Sequence, residues 1–155
     1  MLSRVVPRIS AARRPASFAA ASAAMRFHSH ELTGDRTKPV NVTFVGADGA
    51  EKPATAYAGQ TLLEAAAEAG FVIEAACAGS CACSTCHMYL DQHTYDAIPE
   101  PSDAEYDMLD LAFMPEPTSR LSCQIKVTED IAGAKARLPS ATRNFAVDGY
   151  VATPH

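Results

Sequence analysis

Cys77, Cys83 and Cys86 stand in a C-x5-C-x2-C spacing within the stretch CAGSCACSTC, residues 77–86, and Cys123 follows after 36 intervening residues. Thiolates gathered at such spacing are metal ligands. Between the first three, Ala78, Gly79, Ser80, Ala82, Ser84 and Thr85 are all small. Backbone approaches a bound group closely only where side chains are small. Its N–H groups can then point inward and stabilise the negative charge on cluster sulfurs. Four thiolates around such a loop could hold a two-iron, two-sulfide cluster. The fourth ligand comes from a distant stretch, so the site forms only with the fold, and each should stabilise the other. A structural zinc site with four cysteines is the alternative. Such sites commonly bring their ligands as two C-x2-C pairs, whereas here three lie in one loop and one stands alone.

The remaining cysteine, Cys81, makes five. An odd count with no export signal argues against a disulfide framework and for thiols in a reducing compartment. The first 30 residues carry Arg4, Arg8, Arg13, Arg14 and Arg26, many Ala and Ser, and no acid. That is the composition of an organellar transit peptide, basic, Ser-rich and acid-poor. Residues 1–34 are accordingly expected to be a mitochondrial or plastid leader, cleaved between Arg26 and Asp35, and residues 35–155 a single domain with a C-terminal tail. A retained basic arm that binds nucleic acid is the competing reading, disfavoured because the arginines are spread along an Ala-rich stretch. The whole chain has a formal charge of −5, and beyond residue 30 it keeps 8 basic and 18 acidic residues, or −10. Such a domain should not favour nucleic acid or anionic lipid and should favour a basic protein partner. No apolar run approaches the roughly 18 residues of a membrane span.

The elements that must position the cysteines follow from local pattern. Val40–Val45 alternates apolar and polar residues as a half-buried strand does. The turn signal Gly46-Ala47-Asp48-Gly49 follows it. A second strand is expected from about Lys52 to Tyr57, with Pro53 marking an edge. Thr61 and Glu64 form a capping box that opens an Ala-rich helix ending near Gly70, with Leu62, Leu63, Ala66 and Ala69 as its buried stripe. His87–Leu90 reads as a short strand and residues 91–101 as loop. Ser102 and Glu105 form a second capping box, predicting a helix to about Phe113, stopped by Met114-Pro115-Glu116-Pro117. Leu121–Val127 reads as a strand carrying Cys123. The tail from Leu138 is expected to cover the surface without regular structure. Strands outnumber helices, which predicts an α+β fold, a mixed sheet with one main helix across it and a short acidic helix beside it.

From Pro53 to Ser119 there are 11 acids and no Lys or Arg. The second helix carries Asp103, Glu105, Asp107 and Asp110, with Asp103, Asp107 and Asp110 spaced to share one face. Tyr106, Leu109 and Phe113 fall on another face and should be core. A helix dipole explains acids in a first turn; it does not explain Asp107 and Asp110. These four acids are therefore read as a partner-binding face, where long-range attraction speeds a short-lived encounter. Arg120, the first cation after the acidic stretch, is expected to pair internally with an acid near this helix.

Taken together, the cysteine spacing, His87 directly after Cys86, and the string ACSTCH at residues 82–87 resemble the vertebrate-type 2Fe–2S ferredoxins, the adrenodoxin family, over roughly residues 38–149. The resemblance implies the β-grasp (ubiquitin-like) ferredoxin fold. It also implies one 2Fe–2S cluster on Cys77, Cys83, Cys86 and Cys123, and a function as a one-electron carrier, not an enzyme. It places Asp107 and Asp110 where the family's recognition helix contacts a flavoprotein ferredoxin reductase, with Ala104 departing from a more usual acid. It gives His87 a structural hydrogen bond linking the cluster loop to the helix region. Cys81 stands where the family has an apolar residue, and is read as a partly buried free thiol. The tail Thr142–Gly149 resembles the motif of mitochondrial ferredoxins that serve iron–sulfur cluster assembly. The implied setting is the mitochondrial matrix, with electrons drawn from an NADPH-charged reductase and passed to a cysteine desulfurase and scaffold complex. Supply of a cytochrome P450 or of haem A synthesis is the alternative. A non-redox zinc- or cluster-binding module is the remote one.

Overall fold

In the computed structural model, residues 33–144 are described. The leader expectation falls almost wholly on residues 1–32, outside the described residues, as does the tail beyond Asn144. The elements are β1 (Asp35–Val45), β2 (Glu51–Ala58), α1 (Leu62–Glu68), β3 (His87–Leu90), α2 (Gln92–Ala97), α3 (Asp103–Leu109), β4 (Ser119–Leu121), a 3-10 turn (Glu129–Ile131) and β5 (Lys135–Arg137). They build a five-stranded sheet in the order β2-β1-β5-β3-β4. β1 runs parallel to β5, and every other neighbouring pair is antiparallel. This mixed sheet, with α1 packed on it, is the β-grasp α+β arrangement the sequence predicts.

The hairpin forms because β1 alternates. Val40, Val42 and Phe44 are buried, and their neighbours are exposed or half-buried. Pro53 lies in β2, which is an edge strand. The α1 capping box is complete: Thr61 Oγ1 accepts from the Glu64 N–H at 3.1 Å, and the Glu64 carboxylate accepts from the Thr61 N–H at 2.7 Å. Leu62, Ala65 and Ala66 of α1 join Val42, Phe44 and Val127 in one apolar core.

Four expectations are corrected. Residues 91–101 are not all loop: Asp91 accepts from the Thr94 N–H at 3.0 Å and caps α2. The same carboxylate accepts from the Lys135 N–H at 2.7 Å, which fastens α2 to β5. β5 is itself a strand the pattern did not announce. The expected strand at Leu121–Val127 is instead β4 at Ser119–Leu121, and the chain then turns through Ser122–Gln124. That turn is closed by Gln124 N–H to Leu121 C=O at 2.9 Å and by Ser122 Oγ to Cys86 C=O at 2.7 Å. Finally, α3 stops at Leu109, well before Phe113, and leaves Tyr106 48% exposed instead of in the core.

Candidate metal centre

The residues from Ala75 to Cys86 link α1 to β3 without regular structure. Ala75, Ala78 and Cys81 adopt left-handed φ of 41°, 51° and 58°, and Gly79 has φ 86°. Left-handed residues interspersed in a loop turn successive N–H groups into one concavity, an anion-binding nest. Small residues make this tolerable, and at Gly79 an added Cβ would also sit 3.7 Å from the Cys123 side chain.

The turn after β4 brings Cys123 to this loop. The four thiols lie as two neighbouring pairs, Cys77 with Cys83 and Cys86 with Cys123. Among the described residues, no three Cys, His, Asp or Glu side chains gather round one point as a mononuclear site requires. Two thiolates on each of two irons is the donor set a 2Fe–2S cluster takes. The surroundings favour thiolate at Cys77 and Cys123. Burial pushes the Cys77 thiol up, but the Ala82 and Gly79 N–H groups and the neighbouring side chains bring it to about 7. The neighbouring Cys86 side chain, with the Gln124 amide and the Cys81 N–H and against burial, lowers Cys123 to about 6. The neighbouring Cys123 side chain and burial push the Cys86 thiol up. Cys86 and Cys123 are buried, and Cys77 and Cys83 are half-buried beside exposed Ala76, Ala78, Ser80 and Ala82. One pair is thus the inner one and the other lies nearer the surface.

Two residues that sequence reasoning missed support the thiols. Gln124 Nε2 donates to Cys123 Sγ at 3.1 Å and to Gly79 C=O at 3.2 Å, tying the Cys123 turn to the loop. Thr85 Oγ1 accepts from the Ala76 N–H at 2.9 Å and lies 3.1 Å from Cys83 Sγ. Their only signal was a polar residue beside a ligand. His87 makes a structural bond, but to strand β4 and not to the helix region as expected: Nε2 lies 2.7 Å from Ser119 Oγ, while Nδ1 is buried without a partner among the described residues. Burial lowers its pKa to about 4, so the ring is neutral. Cys81 packs against the apolar cluster of Leu109, Leu121 and the inner thiols, and burial raises its pKa. A Cys81→Ser protein is therefore expected to keep a full visible cluster spectrum; loss of the spectrum would make Cys81 a ligand.

The acidic helix divides in two. Asp103, Asp107 and Asp110 are exposed. Glu105, expected on the same docking face, is only 2% exposed. Its carboxylate takes Arg120 Nε at 2.9 Å, Arg120 Nη2 at 3.1 Å and the Leu121 N–H at 2.9 Å. Arg120 Nη1 also donates to Pro99 C=O at 2.8 Å. The expected internal pairing of Arg120 is therefore present, and it removes Glu105 from the docking face. The second capping box is correspondingly half made: Ser102 Oγ accepts from the Glu105 N–H, but the Glu105 carboxylate has turned inward. Glu105 thereby holds α3 against Leu121, two residues before Cys123.

The profile of the 2Fe-2S iron-sulfur cluster binding domain matches residues 45–128. Adrenodoxin-like protein 2, mitochondrial, of Arabidopsis thaliana is 49% identical over 126 residues, a match spanning 81% of this chain but only 64% of that protein's length. The mitochondrial adrenodoxin homolog of Saccharomyces cerevisiae is 46% identical over 117 residues, covering 76% of this chain and 68% of its own length. Among solved structures, the covalent putidaredoxin reductase–putidaredoxin complex contains a chain 34% identical with a TM-score of 0.59, covering 64% of this chain and 97% of that one.

Proposed function

Because the chain belongs to the adrenodoxin-like 2Fe–2S ferredoxins, we propose that it is a one-electron carrier and not an enzyme. The observation that carries this reading is the gathering of the four thiols as two neighbouring pairs around a loop whose left-handed residues turn its N–H groups into one concavity. Cys77, Cys83, Cys86 and Cys123 would hold the cluster, whose chemistry is to accept and release a single electron. The chain's own groups do the rest. The N–H groups of Gly79, Cys81 and Ala82 and the Gln124 amide stabilise negative charge on the thiolates. The half-buried pair keeps the site within reach of a docked partner. Asp103, Asp107 and Asp110 attract a basic face and shorten the search for the productive encounter.

The donor partner we infer is a flavoprotein ferredoxin reductase using NADPH, in line with the reductase bound to putidaredoxin. The setting is the mitochondrial matrix, with residues 1–34 as leader; both relatives described above carry "mitochondrial" or its equivalent in their names. For the acceptor we favour the cysteine desulfurase and scaffold complex of iron–sulfur assembly, on the resemblance of the tail. The test is reconstitution of the mature protein with a reductase and NADPH, offering each acceptor in turn. Sulfide production by the desulfurase complex supports the reading. Turnover only with a cytochrome P450 or in haem A synthesis would replace the acceptor, and no reduction by the reductase would remove the carrier role.

A further inference from the structure

The tail does more than cover the surface. Glu74, three residues before Cys77, accepts from Thr142 Oγ1 at 2.8 Å with one carboxylate oxygen and from Asn144 Nδ2 at 2.8 Å with the other. Between these two, the Arg143 carbonyl lies 3.4 Å from the hydroxyl of Ser84, a buried residue directly after Cys83. Three consecutive tail residues thus meet two residues that bracket the outer ligand pair. The loop between the brackets needs such fastening. It has no regular structure and carries three non-glycine residues in left-handed backbone. Its other side-chain ties run to Thr85 and Gln124, at its far end and beneath it. Glu74 itself is exposed.

We propose that Glu74 is a positioning residue that fastens the C-terminal segment Thr142–Asn144 as a strap across the cluster loop, and that this strap limits opening of the outer ligand pair to water and competing chelators. The proposal rests on Cys77 and Cys83 being ligands. An open loop exposes the Cys77 and Cys83 thiolates first, because they are the half-buried pair. Glu74 touches neither thiol, so its effect passes through the strap. Thr142 and Asn144 approach Glu74 from opposite sides of Arg143, so releasing the carboxylate releases both contacts together.

The test uses the cluster-loaded mature protein and the variants Glu74→Ala, Thr142→Val and the two combined. Two quantities are followed: the rate of visible bleaching in excess chelator, and amide hydrogen exchange of residues 76–82. Glu74→Ala is expected to speed both by about three- to tenfold, the range for losing an ordinary net hydrogen-bond contribution. Thr142→Val should show a smaller part of the same effect, and the combination no more than Glu74→Ala alone. The global unfolding midpoint should stay in place, which a merely structural role would not allow. Unchanged rates, multiplied effects in the combination, or a fall in the midpoint matching the faster bleaching would each overturn the strap. A protein that never shows the cluster spectrum contradicts the ligand assignment instead, and loop exchange then still decides the strap.

Discussion

Replacing Glu105 with alanine is expected to lower the stability of the domain by about 3–5 kcal/mol, the usual cost of leaving a buried charge without its partner. Arg120 would keep a single acceptor, the Pro99 carbonyl, and the Leu121 N–H would lose its own. The pair is not kept for net stabilisation, since the desolvation of two buried ions offsets much of their attraction. Its role is geometric, because it joins α3 to the strand that delivers Cys123. The Glu105→Leu/Arg120→Met double replacement should therefore recover a large part of the lost stability. Chemical denaturation followed by circular dichroism measures both. A Glu105→Ala protein as stable as the parent, but slow with its reductase, would return Glu105 to the docking face.

The opposite profile is expected for Asp107→Asn/Asp110→Asn. Both side chains are exposed, so stability should hardly change. Reduction by a ferredoxin reductase at low salt should slow by about ten- to a hundredfold, within the range electrostatic steering supplies. The rate should also lose most of its dependence on ionic strength, since screening acts on the charges removed. Asp110 is the C-cap of α3, where the helix dipole disfavours an acid by about 0.3–1 kcal/mol. An acid kept at a locally unfavourable place needs a reason outside the helix, and attraction of a partner supplies one. Stopped-flow reduction across a salt series checks this. An unchanged rate would take this face out of the mechanism.

Where local chemistry decides structure, the sequence was readable. The alternation of Val40, Val42 and Phe44, the Thr61–Glu64 box and the apolar His87–Leu90 stretch each specify their own element, and each is found. What was not readable depends on partners far along the chain. β5 is three residues, two of them charged, and is a strand because β1 and β3 flank it. α2 has an Asp91 cap but no apolar period. Glu105 looks like its acidic neighbours until the fold brings Arg120 to it. Tyr106 shares the spacing of Leu109 but ends up outside, because a helix of only two turns buries a narrower stripe than a long one. The cysteines proposed as ligands stand out by their spacing. Their arrangement in two pairs does not, because it requires the turn that brings Cys123 to the loop.

The most direct test of the account is iron and acid-labile sulfide analysis of the purified protein, read with its visible and electron paramagnetic resonance spectra. The expected result is a coloured protein with two irons and two sulfides per chain, silent in resonance when oxidised and paramagnetic after taking up one electron. A colourless protein holding one zinc would contradict it.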